Sequence, residues 1–328
     1  MTGVLLAGLG EVGVRAARQL VETPGVQTVM IAARPSRRVE EVCSSLGPMA
    51  RRVDWTPGDP VPSSTNVIAS ALPAEWHVRV AEAAIAAGVA AVLAADDSES
   101  LGALAALSAK AAAAGVTIAA GCGLAPGLAC VLARHAGSLF DAVDEVRIAR
   151  SGIAGEASER AVRDERRPLP TVLRGGRWRS GSRLGELVWF PEPINARDCQ
   201  LVTGGGPLLA EAFGSLDRLT WSLAEGGRKR VGLRRVDPDD GWGAIRVEVF
   251  GRRDGEASSV VYGLVDRIAL AAGATLAVAA AELGGFGVER VVRPGVHSLA
   301  ALVDPVQFLA ELATRGVRAA AFVGAPAI

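Results

Sequence analysis

The stretch GVLLAGLGEVG at residues 3–13 decides the fold of this protein. The largely apolar residues 3–7 predict a strand, and residues 14–21 repeat apolar positions with the period of a helix. A second apolar run at residues 26–33 is rich in β-branched residues and ends in a polar loop, which predicts another strand. Strand, glycine turn, helix and strand together predict a βαβ unit.

Three glycines in this turn match the GxGxxG pattern in the context that the pattern requires. Gly8 allows the tight turn, Gly10 lets the backbone approach a pyrophosphate, and Gly13 lets the helix pack on the strand. The N-terminus of the helix then directs its positive dipole end at the phosphates. We therefore expect a Rossmann unit that binds a dinucleotide. The cofactor-binding residues predicted in this turn are Gly8, Gly10, Glu11, Val12 and Gly13.

The end of the second predicted strand indicates which dinucleotide binds. NAD-binding sites usually place an acidic residue there, about 20 residues beyond the glycines, to bind the ribose 2′-hydroxyl. Here that place holds Ala33 and Arg34. Arg34, Ser36 and Arg37 offer guanidinium groups and a hydroxyl that suit a 2′-phosphate, so NADP(H) is predicted. The alternative is that these arginines form only a solvated loop.

The alternation of strands and helices continues to about residue 120. Strands are predicted at residues 66–71, 90–94 and 116–119, and alanine-rich helices at residues 76–87 and 101–114. This pattern predicts an α/β fold with a Rossmann doubly wound parallel sheet in residues 1–122.

Beyond residue 122 the sequence becomes richer in Arg, Trp and Gly. Residues 123–287 are predicted to form a second, α+β domain on a mainly antiparallel sheet. Residues 288–328 are predicted to return to the Rossmann domain. The predicted elements of these two parts are a strand at residues 143–149, a hairpin that turns at Asp254 and Gly255 with Ile245, Val247 and Val249 on one face, helices at 265–283 and 305–315, and a strand at 319–323.

Charge and hydropathy exclude several classes of partner. Lys plus Arg balances Asp plus Glu at 35 each, which gives no overall electrostatic basis for binding nucleic acid or an anionic membrane. The longest apolar helical stretch, residues 268–281, is too short to span a bilayer. The first residues lack the basic region of a signal peptide. We expect a cytoplasmic protein whose partner is a small molecule.

The four cysteines show no CxxC spacing, and the three histidines form no local cluster with them. Neither a structural metal nor a disulfide is therefore predicted. Cys122 is interpreted either as a catalytic thiol or as a small buried apolar residue.

A longer pattern covers residues 66–130: ALP at residues 71–73, then His77, helices that end at Gly88 and Gly115, and GLAPG at residues 123–127. With RPGV at residues 293–296 and RGV at 315–317, it resembles the saccharopine dehydrogenase and reductase superfamily, which includes lysine dehydrogenases and carboxynorspermidine synthases. The likeness covers both ends of the chain and is weak between about residues 150 and 240.

The resemblance implies hydride transfer between a nicotinamide and the carbon of a C–N bond on an amino-acid framework. The substrate would lie between the Rossmann unit and the inserted sheet domain. The resemblance adds Ala71, Leu72 and Pro73 to the cofactor-binding residues. It also implies a homodimer, formed through the second sheet or through the apolar helix near Ala271.

Two departures from the family pattern concern the site itself. The family's usual GLDPG has Ala125 in place of its aspartate, and Ala95-Asp96-Asp97 replaces the aromatic residue or serine that is common after the preceding strand. These departures imply an altered substrate or a loss of catalysis.

Catalytic candidates follow from the needs of hydride transfer, which are a fixed carbon and a proton donor near the nitrogen. Asp96 and Asp97 follow a strand at the carboxyl edge, where open α/β sheets bind ligands. Asp97 before Ser98 is also a good helix N-cap. His77 has a near-neutral pKa suited to acid–base work, although a histidine at a helix start is equally typical of a structural donor. The predicted catalytic residues are Asp96, His77 and Asp97.

Residues 150–183 hold nine arginines against four acidic residues. A charge run is usually a solvated face. Here it is alternatively a carboxylate-binding segment, through Arg163 or Arg167, or a mobile lid. A glycine cluster at residues 204–206 is either an anion site before a helix or a plain loop.

The sequence therefore predicts an NADP(H)-dependent oxidoreductase of amino-acid metabolism that acts on an imine or amine of an amino-acid-like metabolite. Two alternatives stay open. One is a carbonyl or hydroxy-acid dehydrogenase on the same scaffold, and the other is a non-catalytic NADP-binding sensor or scaffold protein.

Overall fold

The computed structural model describes residues 2–224, 229–231, 234–236, 240–287 and 291–322. The first part of the chain alternates short strands with helices. Its elements are β1 (Gly3–Ala7), α1 (Glu11–Val21), β2 (Thr28–Ala32), α2 (Arg37–Ser45), β3 (Ala50–Val53), β4 (Thr65–Ser70), α3 (His77–Ala87), β5 (Ala90–Leu93), α4 (Ser98–Ala105), α5 (Ser108–Ala113) and β6 (Thr117–Ala120).

Strands predominate in the rest of the chain. Its elements are α6 (Leu128–Gly137), β7 (Ala142–Arg150), α7 (Glu156–Glu165), β8 (Thr171–Arg174), β9 (Arg177–Ser180), β10 (Gly185–Trp189), β11 (Ala196–Val202), α8 (Gly206–Ala210), β12 (Arg218–Ala224), β13 (Lys229–Val231), β14 (Arg234–Val236), β15 (Trp242–Arg253), β16 (Glu256–Arg267), α9 (Ile268–Gly284), β17 (Gly295–Ser298), α10 (Leu299–Leu302), α11 (Pro305–Thr314) and β18 (Ala320–Phe322).

The described residues form a seven-stranded parallel sheet in the order β17-β6-β5-β4-β1-β2-β3. Every residue of β1 is buried, as expected for a strand covered by helices on both faces. The chain runs outward from β1 to β3 on one side and from β4 to β6 on the other. The strand order therefore reverses between β1 and β4, which is where such sheets bind ligands. The predicted Rossmann architecture is confirmed.

The second sheet is mixed, in the order β10-β11-β12-β7-β15-β16-β18, with β8 and β9 attached through β12. Only β12 and β7 pair in parallel among the described strands of this sheet. The hairpin of β15 and β16 turns at Asp254 and Gly255, both with positive φ. Ile245, Val247 and Val249 are fully buried on one face of β15, as predicted.

Helix α9 leaves the second sheet and packs on α1, β4 and β5 of the first. Gly273 permits the close approach to α1, because a Cβ there would lie 2.9 Å from the carbonyl oxygen of Val12. Ala271 is completely buried within the chain. Ala271 itself therefore offers no surface to a second subunit, and Leu270 beside it is exposed. No helix in the described ranges is both long and apolar enough to cross a bilayer.

The closing segment divides between the two sheets. β17 pairs in parallel with β6, as the outermost strand of the first sheet. β18 instead pairs antiparallel with β16, with Tyr262 opposite Ala321. The prediction that the last strand packs on the Rossmann domain is wrong, because β16 offers a free hairpin edge to pair with.

Two local differences concern the first domain. The helix predicted at residues 101–114 is divided into α4 and α5 by a turn at Ala106 and Leu107. Strand β3 was not predicted from the sequence, because only its first residue, Ala50, is fully buried and the apolar pattern is short.

Candidate active site

The glycine turn after β1 has the geometry that its sequence predicts. A Cβ on Gly13 would lie 2.1 Å from the carbonyl oxygen of Gly8, so only glycine lets α1 start this close to the strand. Gly8 has a φ of +94° and lies against the carbonyl of Ala71. Gly10 has no neighbouring atom within 4 Å of where its Cβ would be. The space above Gly10 is thus open to a ligand, and no side chain caps the first turn of α1.

The loop after β2 lies beside this turn, since the backbone N–H of Gly8 donates to the carbonyl of Ala32. Ser36 caps α2 by accepting a hydrogen bond from the N–H of Val39. Arg37 pairs with Glu41 at 2.8 Å. Arg34 is exposed and makes no ion pair with any residue that the structure describes. Of the two arginines predicted to bind the 2′-phosphate, Arg34 is therefore the one without an ion-pair partner among the described residues.

The side chain of Glu11 is paired within the protein. Its carboxylate pairs with Arg15 at 2.8 Å and with Arg38 at 2.9 Å. It thus links the first turn of α1 to the start of α2. This pairing holds the two elements that flank the glycine turn.

A cleft of about 80 Å³ lies between the two domains, beside the glycine turn. The first domain contributes Val12, the ALP motif and the end of β5, and the second contributes the GLAPG loop, α7 and α9. Its lining residues are Val12, Ala71, Leu72, Pro73, Ala74, Ala94, Asp96, Gly123, Leu124, Arg150, Ala154, Ala157, Ser158, Ile268 and Ala272.

Asp96 and Arg150 form the charged part of this cleft. The side chain of Asp96 is 25% exposed, and its Oδ2 lies 3.7 Å from Nη1 of Arg150. Nη1 of Arg150 also donates to the carbonyl of Ala125 at 2.9 Å, and Nη2 donates to Ser158 Oγ at 3.3 Å. Both departures from the family pattern, at positions 96 and 125, therefore meet at one guanidinium.

Burial raises the pKa of Asp96 to about 6. Arg150 opposes this shift, whereas the neighbouring charges of Asp97 and Glu165 add to it. A carboxyl with this pKa is present in both protonation states near neutral pH, which is the condition for efficient acid–base catalysis.

Asp97 takes the capping role that the sequence offered as an alternative. Its Oδ1 accepts a hydrogen bond from the N–H of Ser100 at 2.8 Å, at the start of α4. Asp97 does not line the cleft. We therefore assign it to helix capping.

His77 is also outside the cleft lining and is 1% exposed. Burial lowers its pKa to about 4, although Asp97 and the backbone of Leu72 partly oppose the shift. The imidazole is therefore neutral at physiological pH, and it does not line the cleft.

Glu165 was not identified from the sequence. It is 5% exposed, and its carboxylate accepts hydrogen bonds from the backbone N–H groups of Ser98 and Gly204, each at 2.7 Å. The carboxylate of Glu165 thus lies at the glycine cluster of residues 204–206, where the sequence suggested an anion site. Glu165 ties the start of α4 to the second domain next to the cleft.

Arg150 was also missed as a site residue. It ends the inward stripe of β7, after the buried Val146 and Ile148, and is itself 4% exposed. An arginine that continues a buried apolar stripe was the available signal. The arginines predicted to bind carboxylates, Arg163 and Arg167, are exposed on α7 and beyond it, and neither lines the cleft.

Cys122 is fully buried, and burial raises the pKa of its thiol far above the usual range. It does not line the cleft, so it acts as a small apolar residue. Within the part of the chain that the structure describes, no three His, Cys, Asp or Glu residues are placed to hold a metal ion.

No protein-family model matches the chain, and no curated protein matches its sequence. Solved structures do match its fold. Apo saccharopine dehydrogenase (L-Glu forming) from Saccharomyces cerevisiae superposes with a TM-score of 0.73 at 14% identity, over 99% of this chain and 100% of that one. The chain has the fold of saccharopine dehydrogenase. The resemblance inferred from residues 66–130 is thereby confirmed for the fold.

Two further structures share the architecture less closely. Amine dehydrogenase from Mycobacterium smegmatis has a TM-score of 0.53 at 13% identity, over 92% of this chain and 96% of that one. DAP dehydrogenase from C. glutamicum has a TM-score of 0.52 at 13% identity, over 96% of this chain and 99% of that one. All three matched proteins have a nearly full-length counterpart in this chain, so both domains belong to the shared fold.

Proposed function

We propose that this chain is an NADP(H)-dependent oxidoreductase that transfers a hydride to or from the carbon of a C–N bond. The observation that carries the proposal is that Asp96 and Val12 of the glycine turn line the same cleft. This cleft opens at the carboxyl edge of the parallel sheet, where such sheets bind ligands. The fold shared with proteins named saccharopine, amine and DAP dehydrogenase supports the reaction class.

The glycine turn fits a nicotinamide dinucleotide. Gly8 and Gly13 bring the start of α1 close to β1, and Gly10 leaves room for a pyrophosphate to approach the backbone. Ala71, Leu72 and Pro73 line the cleft beyond the turn. A bound nicotinamide supplies or accepts the hydride.

Asp96 moves the proton in this proposal. Its protonated carboxyl donates to the substrate nitrogen during imine reduction, and its carboxylate accepts a proton from the amine in the reverse direction. Arg150 positions this carboxyl and keeps part of it ionised at neutral pH, because the guanidinium opposes the rise in pKa. The apolar lining raises the strength of these interactions by keeping the local dielectric low.

A matched imine and ketone test the reaction class. With NADPH in excess, 2-methyl-1-pyrroline should oxidise the cofactor and cyclopentanone should not, because Asp96 can form an ion pair only with a protonated nitrogen. The measurement is the loss of NADPH absorbance. Reduction of the ketone alone would place the protein among carbonyl dehydrogenases, and tight NADPH binding without turnover of either would favour a non-catalytic role.

The preference for NADPH rests on Arg34. Replacing Arg34 by Ala should weaken NADPH binding by about tenfold and leave NADH binding nearly unchanged, because one charge-assisted contact to the 2′-phosphate is lost. Fluorescence titration with both cofactors measures this. Arg177→Ala, which removes an exposed arginine of β9, is the control. Equal losses for both cofactors, or tighter NADH than NADPH binding by the unmodified protein, would contradict the assignment.

A further inference from the structure

The charges around the cleft are unbalanced. Two further carboxylates lie close to Asp96 at the start of α4, since Asp97 accepts from the N–H of Ser100 and Glu165 accepts from the N–H of Ser98. Among the described residues that line the cleft, Arg150 is the only cation. The surroundings of Asp96 therefore favour a positive group on the ligand and disfavour a negative one.

Arg150 is not available to grip a carboxylate. It is 4% exposed, and its two terminal nitrogens already contact Ala125, Ser158 and Asp96. Recognition of a carboxylate by arginine usually needs two parallel donors in a free fork. The terminal nitrogens of Arg150 contact protein atoms, and its unpartnered Nε is buried, so no exposed pair of donors faces a ligand.

The remainder of the lining is small and apolar. Ala94, Ala154 and Ala157 line the cleft, together with Ile268 and Ala272 of α9. Such a surface holds hydrocarbon, and its alanines and isoleucine offer no side-chain donors for a second polar group. The cleft thus presents Asp96, its partner Arg150 and the Ser158 hydroxyl in an otherwise apolar wall.

We propose that the substrate is a small amine, or the corresponding imine, that carries no carboxylate. Its nitrogen faces Asp96 and its hydrocarbon part lies on the alanines and Ile268. This inference rests on the proposed C–N oxidoreductase function and replaces the amino-acid framework implied by the family resemblance. In the reduction, Asp96 transfers its proton to the imine nitrogen, the iminium carbon accepts a hydride from NADPH, and the C=N π electrons become the nitrogen lone pair. The products are the amine, NADP⁺ and the Asp96 carboxylate.

Two imines that differ in one substituent test the substrate class. 2-Methyl-1-pyrroline and 1-pyrroline-2-carboxylate share a ring, and a methyl group in the first replaces the carboxylate of the second. We expect kcat/KM with NADPH to be higher for the methyl compound by about tenfold or more, because a carboxylate would meet the net negative cleft. Equal rates, or a preference for the carboxylate compound, would overturn the inference.

A substitution in the lining makes the test sharper. Ala157 on α7 lines the cleft and is exposed to it, so Ala157→Arg places a free guanidinium there. This variant should shift the preference toward 1-pyrroline-2-carboxylate by about tenfold or more, whereas Ala157→Gln, similar in reach but neutral, should not. A similar shift in both variants would show that size, and not charge, sets the preference.

Binding without turnover separates this inference from the proposed function. Calorimetric titration should show that 2-methylpyrrolidine binds the protein more tightly than proline, and that Asp96→Asn removes the difference. Tighter binding of proline would overturn the substrate class while leaving hydride transfer intact. If neither imine is reduced although NADPH binds, the proposed function fails and this inference fails with it.

Discussion

Replacing Asp96 by Asn should lower kcat/KM for imine reduction by about 10²–10⁴-fold, the usual contribution of a positioned general acid or base. The amide has the same shape as the carboxyl but cannot donate an acidic proton or carry the charge that pairs with the nitrogen. The Arg150 contacts to Ala125 and Ser158 are independent of this change. NADPH binding should therefore be retained, which a fluorescence titration on the variant checks.

The pH dependence gives a second, independent readout of the same residue. Because the pKa of Asp96 is about 6 and the protonated form is the donor, kcat/KM for reduction should fall as the pH rises through about 6. The substrate used must not titrate in that range. Asp96→Asn should lack this limb of the profile, whereas Asp54→Asn, at a side chain that is 96% exposed, should keep it. An unchanged profile in Asp96→Asn would remove Asp96 from the mechanism.

Replacing Arg150 by Met should destabilise the protein by about 3–5 kcal/mol, which is typical for removing one partner of a buried ion pair. The variant leaves the carbonyl of Ala125 and the hydroxyl of Ser158 without their donor, and Asp96 without its counter-ion. Urea unfolding of both proteins at neutral pH measures the difference in free energy of unfolding.

The matched control is Arg253→Met, at an exposed end of β15, which should change stability by no more than about 0.5 kcal/mol. Loss of Arg150 should also raise the pKa of Asp96 above about 6, because the charge that opposes the rise is gone. If Arg150→Met were as stable as the control, the guanidinium would not hold the cleft together, and its role as a positioning residue would be wrong.

Asp96 and Asp97 illustrate why two residues that are adjacent in the sequence can have different roles. Asp96 and Asp97 were both candidates after β5, since both follow a strand at the carboxyl edge of the sheet, and the sequence already offered Asp97 as a helix cap. The backbone direction at the start of α4 turns Asp97 toward the N–H of Ser100 and leaves Asp96 in the cleft. A one-residue difference at a helix start decides which carboxylate caps the helix and which lines the cleft.

His77 and Arg150 show that the sequence also does not reveal contacts between residues that are far apart in the chain. The sequence correctly placed His77 at the start of a helix after the ALP motif. Its burial, which lowers its pKa to about 4, depends instead on packing around α3. Arg150 contacts Asp96 only because β7 of the second sheet ends beside the strand ends of the first. Neither fact has a signature within a short window of sequence.

The sequence by itself determined the features that depend on local backbone chemistry. The glycine turn at residues 8–13, the alternation of strands and helices to β6, and the β15–β16 hairpin all follow from steric limits and apolar periodicity, which act over a few residues. The tertiary structure alone decided the burial of α9 against α1, the pairing of β18 with β16, and the meeting of Asp96, Arg150 and Glu165 around one cleft. These contacts join distant parts of the chain, and their energy depends on solvent exclusion and charge geometry that exist only after both domains have packed.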